Sequence, residues 1–168
     1  MLDSRVTGAG KALAVSEAVK TKILFSLVLG LGFSSLAFAG LGSEARVTEA
    51  RESYERLQKA AETGSANPFD VLGGERHLLQ TQLALDANDA KAFHALVINV
   101  DARLALAKKA FEMGSATSAD VDLIKSERLG LKEGCAERYS RAKARASAGD
   151  ATDETLRLTI EACQALYK

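Results

Sequence analysis

The sequence predicts an all-α protein: elongated antiparallel helical hairpins forming a bundle of about four helices, with one very long central helix and a signal peptide in front. Three observations carry this reading. Between Pro68 and Met113, apolar residues recur at three- and four-residue spacing, with no proline after the first. Three similar glycine-centred corners punctuate the rest of the chain. An uncharged apolar run from Ile23 to Leu36 stands apart from everything that follows it.

In chain order, Lys20 and Lys22 precede that apolar run, and Ala37-Phe38-Ala39 follows it, ahead of Gly40. A positive segment, an apolar core and an Ala-x-Ala site are the signature of a secretory leader, so residues 1–39 are expected to be removed, with Ala37 and Ala39 directing cleavage before Gly40. The alternative is an uncleaved anchor, since Ile23 to Ser43 is uncharged and long enough to span a bilayer. Membrane contact would then run only through residues 23–43. Loss of Arg5, Lys11, Lys20, Lys22, Asp3 and Glu17 from a chain of zero formal charge leaves a helical domain, residues 40–168, at about −2. No basic excess remains for nucleic acid, which is excluded as the main partner.

Glu44 to Thr63 is charged and helix-prone, with Val47, Ala50, Tyr54, Leu57 and Ala61 along one face. The carboxylates Glu49, Glu52 and Glu55 alternate with Arg46, Arg51, Arg56 and Lys59, as on a solvated face. The long stretch from Pro68 to Met113 would run roughly 70 Å as an unbroken helix. Leu79, Asp86, Phe93, Val100 and Ala107 mark one heptad position and Leu83, Ala90, Val97, Leu104 and Phe111 the other, a coiled-coil seam with Asp86 as its one misfit. Weak points lie at Gly73-Gly74 and at Asp86-Ala87-Asn88-Asp89, where poor helix formers cluster. A third helix is expected from Ser118 to Ala148, with Val121, Ile124, Arg128, Leu131, Cys135, Tyr139 and Ala142 as its seam. A fourth follows from Asp153 towards Lys168 with Leu156, Ile160, Cys163 and Tyr167.

The corners join these helices. Gly64, Gly114 and Gly149 each suit the left-handed residue that ends a helix, and Asn67, Thr117 and Thr152, three positions on, each suit the N-cap of the next. Asp70 and Asp120 fall in the first turns, where a carboxylate meets the positive helix end. Each helix of the last hairpin carries one cysteine. Cys135 and Cys163 are equidistant from Gly149, which places them opposite each other. In an oxidising compartment they are expected to form a disulfide; reduced, they would serve as two small buried apolar residues.

Chemistry is hard to find. His77 and His94 are the only histidines, and no metal-binding, haem or redox motif accompanies them or the cysteines. The sequence therefore predicts no enzyme, no cofactor and no metal site. The basic run Arg138, Arg141, Lys143 and Arg145, interrupted by Glu137 at its start, reads as a solvated helix end rather than a contact for an acidic partner or headgroups.

KAAETGSANPFDVL from Lys59 to Leu72, followed by ERHLLQTQLA from Glu75 to Ala84, resembles the hairpin segment of TolC-like outer-membrane efflux proteins. Ala110 to Gly114, with Asp120, Val121, Glu127 and Arg128, is a looser second copy. The strands of that family's membrane barrel have no counterpart here, so the resemblance implies a long periplasmic helical hairpin and not transport. The expected function is thus that of an exported, non-enzymatic helical protein assembling with copies of itself or with another cell-envelope protein. The alternative is a small helical bundle holding an apolar ligand, with Phe93, Val97 and Phe111 as walls.

Overall fold

The computed structural model describes residues 43–168, so the leader and its cleavage residues Ala37, Ala39 and Gly40 lie outside the described residues. Among the described residues all regular structure is helical: α1 Glu44–Glu62, α2 Pro68–Leu85, α3 Ala90–Glu112, α4 Ser118–Glu133, α5 Cys135–Ser147 and α6 Asp153–Leu166.

The expected central helix from Pro68 to Met113 is a correction. It is two helices that fold back on each other at Asp86–Asp89, the site of the heptad misfit. Short polar side chains offer the backbone better local partners there than another helical turn would. Asp86 is extended, at φ −130° and ψ 99°, its Oδ1 accepts the Asn88 amide at 2.9 Å, and Asp89 caps α3 by accepting from the Ala92 amide. Gly73-Gly74, by contrast, stays helical. A Cβ on Gly74 would lie 2.6 Å from Leu57 Cδ1, so this glycine lets α1 approach α2 closely, whereas nothing lies within 4 Å at Gly73. Gly73→Ala is expected to raise stability by roughly 0.5–1 kcal/mol through helix propensity. Gly74→Ala must displace Leu57 and should melt below Gly73→Ala in a thermal scan; equal melting would refute the packing argument.

The expected single helix from Ser118 to Ala148 is likewise divided, at Gly134, whose amide reaches back to both Gly130 and Lys132 carbonyls. Two glycines four residues apart weaken this stretch. Three corners turn on left-handed glycines: Gly64 at φ +73°, Gly114 at +72° and Gly149 at +79°. Asn67, Thr117 and Thr152 cap the helices that follow, and Asp70 and Asp120 complete reciprocal capping boxes with Asn67 and Thr117. The bonds from Thr117 hold the Asp120 carboxyl below its ordinary pKa.

The element around which the molecule packs is α3, which touches α2, α4 and α6, while α1 packs on α2 alone. One core cluster joins Leu79 and Leu83 of α2 with Ala92, Phe93, Leu96 and Val97 of α3, Cys135 of α5 and Ala162 and Leu166 of α6. A second joins Val100 and Ala107 of α3 to Val121 and Ile124 of α4. The face of α6 is also corrected. Its buried residues are Thr159, Ala162 and Leu166; of the expected stripe, Leu156, Ile160 and Cys163 are half-buried and Tyr167 is exposed. Phe111, read as a seam residue, is 49% exposed, because α3 meets α4 through Val100 and Ala107 instead.

Candidate interaction surface

The sequence-predicted positions fall in three places. The Gly64 and Gly114 corners lie at one end of their antiparallel hairpins, and the Gly149 corner lies near Asp86–Asp89, where both groups line a common cleft. Cys135 and Cys163 meet across the α5–α6 hairpin as a disulfide, with Cα atoms 5.6 Å apart, a separation ordinary for such a bridge. The bridge ties the start of α5 to α6 beside the main core cluster.

A polar seam holds α2, α3 and α4 in register, and sequence reasoning missed it. The Glu127 carboxylate accepts from Arg76 of α2 and, at 2.8 Å, from Arg103 of α3. Asp101 of α3 pairs with Arg128 at 2.8 Å, and the same guanidinium donates to the Ala165 and Leu166 carbonyls at the end of α6. Arg128 therefore sits on the expected seam of α4 but acts as a polar clamp. Deeper in, Asn99 donates its amide to the Leu72 carbonyl at 2.9 Å and to Glu75 at 2.7 Å. Burial, followed by the nearby Glu75 charge, pushes the Tyr54 hydroxyl pKa up. An asparagine between Ile98 and Val100, and an arginine at position 128 on an otherwise apolar seam, were the available sequence signals.

Outside this frame large apolar side chains remain uncovered. Leu123 and Leu129 on α4 are 69% and 55% exposed, and Met113 and Tyr167 are exposed as well. Two grooves meet at Lys168. One, of about 610 Å³, is lined by Leu104, Ala105 and Leu129 together with Lys108, Lys125 and Lys132. The other, of about 670 Å³, is lined by Tyr139, Ile160, Cys163 and Tyr167. Lys132 lies over the Tyr167 ring at 4.4 Å, joining the two.

The apolar-ligand arrangement does not form. Phe93 and Val97 are packed into the main core cluster, and Phe111 lies outside it, so the three do not wall a common cavity. His94 lies 4.0 Å from Glu161, His77 is exposed beside α1, and no cluster of three or more metal-ligating side chains occurs among the described residues. No helix among the described residues is long and apolar enough to cross a membrane. Comparison with protein families, with curated proteins and with solved structures finds no match to this chain.

Proposed function

We propose that this chain is an exported, non-enzymatic helical interaction protein of the periplasm, built from TolC-like hairpins and assembling with copies of itself or with another cell-envelope protein. The observation that carries the reading is the pair of adjoining grooves in which the exposed Leu129 and Tyr167 and the half-buried Leu104 and Ile160 stand among charged side chains, on a bundle with its own buried core. Apolar patches with a polar rim of this kind commonly mark interfaces. The Cys135–Cys163 bridge supports an oxidising compartment, where such bonds persist.

Leu129→Glu tests the surface. The side chain is more than half exposed, so the variant should melt within about 0.5 kcal/mol of the parent while losing association. Sedimentation equilibrium of the protein recovered from the envelope should show an oligomer or a hetero-complex that Leu129→Glu dissociates. A monomer with no co-purifying envelope partner would sink the proposal.

A further inference from the structure

Arg138, Arg141 and Arg145 recur at three- and four-residue spacing on one face of α5, and that face does not simply point to water. Arg138 is half-buried: its guanidinium lies 4.3 Å from the Phe93 ring centroid and donates to the Ala87 carbonyl at 2.8 Å. The reading of this run as a solvated helix end is therefore corrected at Arg138. Together with Ala87, Asn88, Ala90, Phe93, Ala142, Thr155 and Thr159, the three arginines line one small pocket, whose walls contain no carboxylate.

We propose that this pocket binds a small oxyanion, a free phosphate or the terminal phosphate of a soluble monoester, held by Arg138, Arg141 and Arg145. Each guanidinium has five N–H donors, and each makes one bond to a protein acceptor here: Arg138 to Ala87, Arg141 to Glu137 at 3.0 Å and Arg145 to the Asp150 carbonyl at 3.3 Å. Of the three, Arg141 alone is paired with a carboxylate, so positive charge is left over. Its effect is visible on Arg138, whose pKa is lowered first by burial and then by the neighbouring Arg141 charge, with the Glu137 carboxylate acting in the opposite direction. An oxyanion at the mouth of the pocket relieves that repulsion and accepts charge-assisted bonds, the contact for which the planar guanidinium is best suited. Asn88 and Thr155 line both the pocket and the cleft into which it opens.

Size and surroundings define the ligand. The pocket proper holds about 20 Å³, room for roughly one water-sized group, so it seats one oxygen of the anion and leaves the rest of the group at its mouth. Past Asn88, Ala90, Arg145 and Thr155 it opens into a cleft of about 520 Å³ that is also lined by Asp86, Asp89, Asp150 and Glu154. The same cleft carries Lys91, 3.8 Å from Glu154, and Arg145, so the carboxylates are partly offset; their remaining repulsion grows with the charge an anion spreads along the rim and disfavours a lipid bilayer or a nucleic acid more than a single compact anion. The inference does not depend on the proposed assembly, because none of the residues lining the pocket lines either groove.

Calorimetric titration of the full chain with inorganic phosphate, against chloride at equal ionic strength, is the test. Saturable binding to one site per chain is expected, with a dissociation constant on the order of 1 mM or tighter. Arg138→Gln would remove the Phe93 contact and confuse folding with binding, so the informative variant is Arg141→Gln with Arg145→Gln, both on the helix exterior. It should keep the parent helical circular dichroism and bind phosphate at least roughly tenfold more weakly. No saturable heat up to about 20 mM phosphate, or undiminished binding by the double variant, would overturn the proposal. Co-sedimentation with phosphatidylglycerol vesicles separates the sources: pelleting no greater than with phosphatidylcholine is expected, and arginine-dependent pelleting would overturn the assignment to a small soluble anion.

Discussion

Phe93→Ala is expected to destabilise the protein by about 3–5 kcal/mol, the cost of a large cavity plus lost apolar transfer. The ring is 1% exposed and packs in the cluster that α2, α3, α5 and α6 share, so no single neighbour can collapse into the space. It also supports the Arg138 guanidinium from below. Domains of this size are stable by about 5–15 kcal/mol in total, so the loss is a large fraction of the whole. A melting temperature lower by more than roughly 10 °C should follow. A drop below about 3 °C would mean that α3 is not the packing centre.

Breaking the Cys135–Cys163 bridge carries the next largest effect. It closes a loop with a sequence separation of 28 and ties the last hairpin to the core. The constraint it places on the unfolded chain is worth about 3 kcal/mol. Reductant, Cys135→Ser and Cys163→Ser should each lower the melting temperature by a similar amount. The double variant should be no worse than either single one, because all of them remove one bond. A melting curve indifferent to reductant would show that the pair is not bridged.

Much of the architecture was legible in local chemistry. A glycine followed three residues later by Asn or Thr marks each corner at Gly64, Gly114 and Gly149 because backbone handedness and capping depend on those residues alone. The Cys135–Cys163 juxtaposition follows from symmetry about Gly149. What failed were inferences that required knowing neighbours. The poor helix formers at Asp86-Ala87-Asn88-Asp89 mark the weak point at which the helix does break, but a heptad count carried through Asp86 does not show that the chain reverses there, so two antiparallel helices sharing one core read as one rod. The face of α6 was assigned from Cys163 and Tyr167, yet α6 packs on both α3 and α5, and the deeper contact belongs to Ala162 and Leu166.

The polar features were least visible, for the same reason. Glu127 reads as an ordinary surface charge until α2 and α3 bring Arg76 and Arg103 to it. Arg138 reads as solvated until α3 places Phe93 beneath it. Long-range partners such as these are set by the crossing of helices far apart in sequence, which periodicity along one helix does not record. The exposed apolar grooves are likewise products of which faces remain after the bundle has closed.

Export from the cytoplasm, together with the Cys135–Cys163 staple, is what the proposed function requires of this chain. Intact-mass analysis of the protein from fractionated cells tests this most directly. The expected species lies in the envelope fraction, begins at Gly40 and is about 2 Da lighter than its reduced form. Recovery of the full 17.8 kDa chain from the cytoplasm with both thiols free would contradict it.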